Sequence, residues 1–357
     1  MRILQLNFER GWRGGERQTL LCLRQFRAAG HHAALLARRG EPLAQAARRE
    51  GFEVFEASGP LSSCLKLLRI ARRFDILHAQ TANTLTWLTL LKPLLRRPIV
   101  FTRRTAFPVA EKKQEKTRWK WQRADLLVAI SEAAAAEPRR LDLPVVVIPS
   151  AIEARPFDLD HARTFSDIYQ LQGLKVVATV AALTREKDPC TLVRAVHALR
   201  QARNDFVFVH LGAGGDAEQA ARELVKQLGL QESYLFAGFE QGVEDLYRLM
   251  DVFVLSSTFE ALGTSVLDAF LYSVPVVSTD AGGLAEVLAD GRGLLCKVGD
   301  HVGIAQAIGR VLDDAELRNS MVRKAHAFVL AQHDPRRMAH HYLDAYQVLL
   351  TRFEAKG

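Results

Sequence analysis

The sequence predicts two doubly wound α/β domains, each a parallel sheet with helices on both faces. Short apolar segments of strand character alternate with helical segments, and the alternation pauses near residue 150 and restarts after residue 170. The strand segments are continuously apolar, as buried parallel strands are. A length of 357 residues suits two cores better than one. We expect domains over residues 1–165 and 166–335, and a C-terminal helix over 336–357 that packs back on the first domain.

Six strands are expected in each domain. In the first domain they are RILQLNF, AALLAR, DILHAQ, PIVFTR, DLLVAIS and VVVIPS. In the second they are KVVATVA, DFVFVHLG, YLFAGF, DVFVLSS, PVVSTD and GLLCK. Residues 153–173 lack strand character and are expected to be the linker.

Two helices of the first domain have recognisable ends. The segment GERQTLLCLRQFRAAG has an apolar side and stops at Gly30, because glycine adopts the left-handed conformation that ends helices. A second helix is expected to start at Ser131, whose hydroxyl caps the alanine run that follows. The apolar side of the first helix consists of Leu20, Leu21, Leu23 and Phe26.

The composition is that of a soluble globular protein, with 48% hydrophobic and 25% charged residues. The four cysteines lie far apart and form no CxxC or Cys/His cluster, which argues against a disulfide framework and a structural zinc site. The N-terminal apolar run is too short for a signal peptide, and no apolar run approaches the roughly 20 residues of a membrane span. These features predict a cytoplasmic location.

The net charge of +8 is concentrated in the first domain. Residues 1–165 contain 29 Lys and Arg against 16 Asp and Glu, whereas the remainder contains 19 against 24. Basic charge attracts nucleic acid, anionic lipid or an acidic small molecule, and it does not distinguish among them. The asymmetry predicts that the two domains have different partners.

Much of this charge lies in residues 96–123, which hold ten basic residues and two acids. Phe101, Phe107, Trp119 and Trp121 are interleaved with them. Basic and aromatic residues together suit an anionic membrane interface. They equally suit a solvated helix whose tryptophans pack inward, and both interpretations stay open.

Three loops that follow strands carry glycines or cations, at the sheet edge where open parallel sheets bind ligands. Gly14 and Gly15 open the first helix, where backbone N–H groups can meet an anion. Arg185 and Lys187 follow the first strand of the second domain, and Gly212 follows the next. Each loop suits phosphate binding, and each also fits an ordinary turn or a solvated loop.

The segment FEALGTSVLDAF directly follows the apolar strand DVFVLSS. Ser265 and Asp268 match a capping box, which explains Asp268 without any function. Glu260 precedes the helix and has no such explanation. Gly263 before Thr264 leaves N–H groups at a helix start that suit a diphosphate, so the segment favours a binding site.

This region resembles the signature of the retaining family-4 glycosyltransferases of the GT-B fold. That family carries an acid, seven residues and a second acid, followed by G-x-P-V-V-x-x-x-x-G-G; here the region reads FEALGTSVLDAFLYSVPVVSTDAGG. The resemblance runs from GGERQTL through DILHAQ, ADLLVAISEA and VIPSAIE to residue 300. It implies two Rossmann-like domains facing a cleft. It also implies transfer of a sugar, with retention of configuration, from a nucleotide-sugar donor bound by the second domain to an acceptor bound by the first.

The resemblance also implies roles for individual residues. Two catalytic residues are implied, Glu260 beside the donor sugar and Lys187 beside its leaving group, and Arg185 is expected to substitute, out of register, for the phosphate arginine that the family usually carries. The implied donor-binding residues are Gly14, Gly15, Gly212, Leu262, Gly263, Thr264, Ser265 and Asp268, with Asp268 on the ribose hydroxyls. The implied acceptor-binding residues are His78, Arg103 and Arg104.

The sequence departs from the family pattern at several places. The second acid is Asp268 instead of the usual glutamate, and Arg104 stands where a histidine is frequent. Residues 181–183 read Ala-Ala-Leu instead of Gly-Arg-Leu, so the usual phosphate arginine is missing. Residues 149–151 read Pro-Ser-Ala instead of Pro-Asn-Gly. These changes concern the leaving group and the acceptor more than the fold.

No Asp-x-Asp pair follows a strand, so we expect Lys187 and a helix N-terminus to stabilise the diphosphate without a metal or another cofactor. The expected function is glycosyl transfer to a glycan, lipid-linked or lipopolysaccharide-type acceptor in cell-surface glycan biosynthesis. A peripheral contact is expected between residues 96–123 and the anionic inner face of the cell membrane.

Three alternatives stay open. The first is a nucleotide-sugar epimerase of the same fold, and the second is a non-enzymatic basic protein that binds nucleic acid. The third is a binding module without catalytic activity, because of the departures at Asp268 and Ala182. A nucleic-acid partner is not expected, because no RNP, helix-turn-helix or zinc signature is present. A dehydrogenase fits least, because G-x-G-x-x-G is absent.

Overall fold

The structure is a computed structural model that describes residues 1–355. The last two positions of the expected C-terminal helix, 356 and 357, lie outside the described residues. The chain divides into two compact units. Unit 1 comprises Met1–Ala151 and Gln332–Gly357, and unit 2 comprises Ile152–Ala331.

Unit 1 contains a seven-stranded parallel sheet in the order β3-β2-β1-β4-β5-β6-β7. Its strands are β1 Arg2–Asn7, β2 His32–Arg38, β3 Glu53–Ala57, β4 Ile76–Ala79, β5 Ile99–Arg103, β6 Leu126–Ala129 and β7 Val146–Val147. Its first helices are α1 Gly14–Ala28, α2 Pro42–Arg49, α3 Pro60–Ile70, α4 Ala82–Leu95, α5 Gln114–Gln122 and α6 Glu132–Arg140, with 3₁₀ turns at Ala71–Arg73 and Glu111–Lys113.

Alternate residues of the unit 1 strands enter two cores, one on each face of the sheet. On β1, Ile3 packs with α1 and α2, whereas Leu4 packs with α3, α4 and α5. Leu4 lies opposite Ala34 of β2 and Leu77 of β4, so the strand order reverses beside β1. Such a reversal leaves a crevice at the carboxyl ends of the strands, where open α/β sheets bind ligands.

Unit 2 contains a six-stranded parallel sheet in the order β10-β9-β8-β11-β12-β13. Its strands are β8 Lys175–Val180, β9 Phe206–Leu211, β10 Tyr234–Gly238, β11 Val252–Leu255, β12 Val276–Thr279 and β13 Leu294–Cys296. Its helices are α7 Leu159–Ile168, α8 Pro189–Arg200, α9 Glu218–Gln227, α10 Thr264–Leu271, α11 Gly283–Leu288, α12 His301–Asp313 and α13 Ala315–Gln332, with a 3₁₀ helix at Val243–Leu249.

The last helix, α14 Pro335–Glu354, returns to unit 1. It starts with Asp334 as its cap and packs against α1, where Phe26 lies 6.3 Å from the Tyr342 ring and 5.8 Å from the Tyr346 ring, between centroids. Both tyrosines are fully buried. The C-terminal helix therefore belongs to a core of unit 1.

The predicted class, two Rossmann-like parallel α/β domains, is confirmed, and each expected strand segment contains a strand. Strand β3 was not predicted. Its sequence, EVFEA, is interrupted by acids because it lies at the edge of the sheet, where it needs no continuous apolar run.

The segment 153–173, expected to be a linker, contains helix α7 of unit 2. The backbone N–H of Asp158 donates to the Asp245 carboxylate at 2.9 Å, His161 Nδ1 lies 3.0 Å from the same carboxylate, and Phe165 is buried. The first unit boundary therefore lies at 151/152 rather than 165/166, and the second lies at 331/332 rather than 335/336. The sequence of an amphipathic helix that precedes the first strand of unit 2 does not show whether the helix joins the core of unit 1 or of unit 2.

Across residues 1–355, no helix is both long enough and apolar enough to cross a membrane.

Candidate functional site

The carboxyl ends of β8 and β11 bring Lys187 and Glu260 together. Each residue lies in the loop that follows its strand, and the ammonium group of Lys187 forms an ion pair with Oε1 of Glu260. The Ser257 hydroxyl donates to the same oxygen at 3.1 Å. The two side chains are 26% and 12% exposed, so the pair is partly shielded but still open to a ligand.

Hydrogen bonds between the two loops hold this pair in position. The Ser256 hydroxyl lies 2.8 Å from the carbonyl oxygens of both Lys187 and Asp188, and the Thr258 N–H donates to the Glu186 carbonyl at 2.8 Å. Asp188 has a left-handed φ of 46° and caps α8 through its side chain. The backbone of Lys187 is therefore held between β11 and the start of α8.

Helix α10 begins beside Glu260, but not as the capping-box pattern predicts. The cap residue is Gly263, with φ of 80°, and it makes no side-chain cap. Its carbonyl accepts the N–H groups of Val266 and Leu267 at 3.0 and 3.1 Å. The helix thus starts two residues earlier than it would with Ser265 as its cap. Glycine readily adopts the left-handed conformation at this position, so the helix begins without a side-chain cap.

The N–H groups of Thr264 and Ser265 precede those paired with Gly263, and the first N–H groups of a helix have no intrahelical acceptor. They suit an anion for this reason. Leu262 is buried just before the turn, and Asp268 is buried in the second turn instead of capping the helix.

The glycines after β9 are explained by close packing of the chain on itself. Gly212 has φ of 144° and Gly215 has φ of 139°. A Cβ on Gly212 would overlap the Ala181 carbonyl, and one on Gly215 would overlap the Leu183 carbonyl. The role of Gly212 in donor binding stays a prediction.

Arg185 lies in the same loop as Lys187 but does not join the ion pair. Its guanidinium is 82% exposed and lies 3.3 Å from the Asp216 carboxylate, which also accepts the Arg185 N–H at 2.9 Å. In this conformation Arg185 is a surface residue paired with the loop before α9.

In unit 1, Arg104 lies where β4, β5 and β7 end. Its Nε and Nη2 donate to Oε1 of Gln80 at 3.1 and 2.6 Å, and its Nη1 donates to the Ser150 hydroxyl at 3.1 Å. A Cβ built on Gly15 would lie 3.9 Å from Arg104 Cδ, so the side chain runs beside the first turn of α1. These partners are neutral, and within residues 1–355 Arg104 makes no ion pair with a carboxylate. Its charge is available to an anion.

His78, expected at the acceptor site, is instead a core residue. It is fully buried in β4, with Nδ1 2.7 Å from the Tyr346 hydroxyl and Nε2 2.7 Å from the Thr102 hydroxyl. Burial, assisted by the nearby charge of Arg104, holds its pKa well below the usual value, so the ring is neutral. The sequence placed it correctly on a strand, but it offers no face to a ligand.

Arg103, also expected at the acceptor site, is a structural residue. Its guanidinium is buried, donates to the carbonyls of Ala134 and Phe107, and lies 5.3 Å from the centroid of the Trp121 ring. Burial lowers its pKa to about 10. Arg103 therefore ties the end of β5 to α6 and to the following loop.

Two residues that the sequence analysis missed hold these loops. Gln80 joins Arg104 to the core, since its Nε2 donates to Gln5 Oε1 at 2.5 Å. Glu16, buried in the first turn of α1, accepts the Arg13 N–H at 3.0 Å and Asn7 Nδ2 at 3.1 Å, and burial raises its pKa. The sequence feature that could have identified Gln80 is its position as a polar residue directly after an apolar strand.

The basic segment 96–123 has both buried and exposed aromatic side chains. Phe101 and Trp121 are buried, whereas Phe107 and Trp119 are exposed. The Arg123 guanidinium lies 4.6 Å from the centroid of the Trp119 ring.

No cluster of three or more His, Cys, Asp or Glu side chains that could hold a metal ion occurs in residues 1–355.

The chain matches two family models. The model described as "Glycosyltransferase Family 4" matches residues 12–155, and the model described as "Glycosyl transferases group 1" matches residues 163–328.

Curated relatives carry related names. A "Lipopolysaccharide core biosynthesis glycosyltransferase LpsE" of Rhizobium meliloti (strain 1021) is 31% identical over 158 residues, which are 44% of this chain and 45% of the relative. A "2-deoxystreptamine glucosyltransferase" of Streptomyces kanamyceticus is 30% identical over 221 residues, which are 56% of each chain. The chain thus spans about half the length of these two relatives.

Among solved structures, Anabaena Alr3699/HepE in complex with UDP and glucose superimposes with a TM-score of 0.87. The match covers 97% of this chain and 99% of that one, at 20% identity, and therefore shows a shared fold. The two family models lie side by side over residues 12–155 and 163–328, so the chain resembles glycosyltransferases in both halves and shares the two-domain GT-B fold of its solved neighbours.

Proposed function

We propose that the chain transfers a sugar from a nucleotide-sugar donor to a glycan, lipid-linked or lipopolysaccharide-type acceptor, with retention of configuration and without a metal. The Lys187–Glu260 pair beside the start of α10 carries the proposal. A relative named for lipopolysaccharide core biosynthesis and a neighbour in complex with UDP and glucose support the acceptor and donor classes.

In the proposed reaction the bond between the sugar and the diphosphate breaks, and negative charge develops on the diphosphate. The Lys187 ammonium and the N–H groups of Thr264 and Ser265 stabilise that charge. Glu260 orients Lys187 through the ion pair, and its other oxygen is available to hydroxyl groups of the donor sugar. Asp268 is proposed to hold the ribose hydroxyls.

Unit 1 is proposed to bind the acceptor. Arg104, supported by Gln80 and Ser150 and lying beside Gly15, supplies a positive charge for an anionic group of the substrate. The exposed cations and Trp119 of residues 96–123 support the proposed contact with an anionic membrane surface.

The test is calorimetric titration of the full chain with UDP, GDP, ADP and TDP, each with and without Mg²⁺. One diphosphate is expected to bind equally well in both conditions. Lys187→Ala is expected to weaken that binding at least about tenfold and to slow transfer by on the order of 10²–10³, as loss of one charge-stabilising donor does. The matched control is Lys175→Ala, because Lys175 pairs with Asp251 at 3.3 Å at the opposite ends of β8 and β11.

Failure of all four nucleotides to bind would contradict the proposal, as would equal losses in Lys187→Ala and Lys175→Ala. A strict need for Mg²⁺ would overturn metal independence alone. Conversion of the donor sugar to its epimer in the absence of any acceptor would favour the epimerase instead.

A further inference from the structure

Unit 1 exposes five leucines on two neighbouring helices, and we call them the leucine face. Each is between 41% and 75% exposed. They recur at helical spacing, so they lie on one side of each helix. The leucine face consists of Leu61, Leu65 and Leu68 on α3, and Leu90 and Leu94 on α4.

The five leucines lie on the exposed sides of α3 and α4. The opposite sides of α3 and α4, with Leu67 and Leu88, pack into one core against the same face of the sheet. Helix α5 adds Trp121 to that core and lies beside α4, with Lys120 Nζ 3.3 Å from the Thr86 hydroxyl. The three helices therefore form one layer with a common outer surface.

The charge around the leucine face is mainly positive, although Arg73 pairs with Glu53 at 2.7 Å and Lys92 pairs with Asp125 at 2.6 Å. Neither α3 nor α4 contains an Asp or Glu, and the one acid between residues 60 and 97 is Asp75, whose carboxylate accepts the backbone N–H of Arg2. Exposed lysines and arginines continue along α5 and its flanks. The cations between residues 60 and 97 are Lys66, Arg69, Arg72, Arg73, Lys92, Arg96 and Arg97.

We propose that the leucine face docks on an anionic lipid bilayer, with the leucines entering the headgroup region and the surrounding cations meeting lipid phosphates. Single exposed leucines are ordinary on soluble proteins, but five on one layer form the apolar patch of an interaction site. A rim with more cations than carboxylates is complementary to anionic lipid, whereas two copies of this face would bring like charges together. The inference extends the proposed membrane contact from residues 96–123 to α3 and α4. It rests on the proposed function only in taking the acceptor to be lipid-linked.

The experiment is flotation of the full chain with vesicles of phosphatidylcholine alone or mixed with phosphatidylglycerol. The wild type is expected to float with the mixed vesicles, and less so at high salt, because salt screens the cations. Leu65→Ser/Leu90→Ser is expected to reduce binding about tenfold or more, since buried alkyl groups provide much of the affinity of interfacial helices. The matched control is Leu159→Ser/Ile168→Ser, which changes two exposed apolar residues of α7 in unit 2.

Two results would overturn the proposal: binding of the leucine variant that equals the wild type, or no binding of the wild type to mixed vesicles. A wild-type dimer in light scattering that the leucine variant dissociates would assign the face to a second copy instead. Calorimetric binding of the nucleoside diphosphate is expected to be unchanged in the leucine variant. A failure of the proposed donor site and a failure of the leucine face are therefore distinguishable.

Discussion

At the scale of single residues, the loops of unit 2 that are proposed to bind the donor depend on backbone conformations that few residues adopt. Gly212 and Gly215 have φ values that side chains disfavour, and both lie against carbonyl groups of residues 181–183. These contacts hold the loop after β9 against the loop that carries Lys187. The glycines therefore shape the proposed donor site through these contacts alone.

Gly212→Ala is expected to destabilise unit 2 by about 3 kcal/mol, because its Cβ overlaps the Ala181 carbonyl and its φ is strained. Gly214→Asn in the same loop is the control, since no atom lies within 4 Å of a Cβ there and asparagine tolerates its φ of 72°. Urea unfolding followed by circular dichroism measures both. Equal midpoints for Gly212→Ala and the wild type would contradict the packing argument.

At the scale of elements, buried polar side chains connect α14 to Arg104, at the edge of unit 1 that is proposed to bind the acceptor. The Tyr346 hydroxyl contacts His78, and His78 lies 3.3 Å from Gln80 Nε2. Gln80 in turn accepts two hydrogen bonds from Arg104. A second branch joins the carbonyl of Ser150 to His333 at 2.7 Å, just before α14. The last helix thus orients a cation that lies far from it in sequence.

Tyr346→Phe is expected to weaken anion binding at Arg104 about threefold or more, because losing one buried hydrogen bond costs about 1 kcal/mol and frees His78 and Gln80 to move. Calorimetry with inorganic pyrophosphate measures this in a Lys187→Ala background, where unit 2 contributes little. The control is Tyr234→Phe, which removes a similar buried bond, 2.9 Å to His210, from unit 2. If both variants bind pyrophosphate equally, α14 does not position Arg104.

At the scale of the whole molecule, each unit contains a buried neutral histidine, and the units differ in their fluorophores. Burial lowers the pKa of His210 in unit 2 to about 4 and holds that of His78 in unit 1 well below its usual value. All four tryptophans lie in unit 1, at positions 12, 87, 119 and 121. Tryptophan fluorescence therefore reports unit 1, whereas circular dichroism reports both units.

Acid is expected to destabilise both units below neutral pH. The unfolded histidines bind protons near pH 6.5 and the folded ones do not, so the stability is complete above that pH and is lost as the pH falls. Between pH 7.5 and 5.5 the loss is about 1.4 kcal/mol for each histidine. Carboxylates such as Asp205, whose pKa is lowered to about 2, titrate below this window.

The measurement is urea unfolding at both pH values. His210→Asn, which keeps a polar side chain but does not titrate, is expected to reduce the acid loss seen by circular dichroism and to leave the tryptophan transition unchanged. A wild-type protein with the same stability at pH 5.5 and 7.5 would contradict the prediction.

The sequence by itself determined the features that depend on local pattern. Apolar runs located the strands, and their alternation with helices implied parallel sheets, so the carboxyl ends of the strands had to lie at one edge. That geometry predicted that Lys187 and Glu260 follow strands at the same edge, and the structure brings them into contact. The spacing of apolar residues also predicted the buried side of α1.

Only the tertiary structure decided which polar residues lie at the carboxyl edge of a sheet and which lie in a core. His78 is buried in contact with Tyr346. The two residues are 268 positions apart in sequence, so no local pattern predicts this contact. Arg103 and Arg104 are neighbours in sequence, yet alternation along β5 turns the first toward α6 while the second reaches the loops at the sheet edge. The start of α10 likewise depended on the backbone of Gly263, because a left-handed turn replaces the side-chain cap that the sequence pattern suggests.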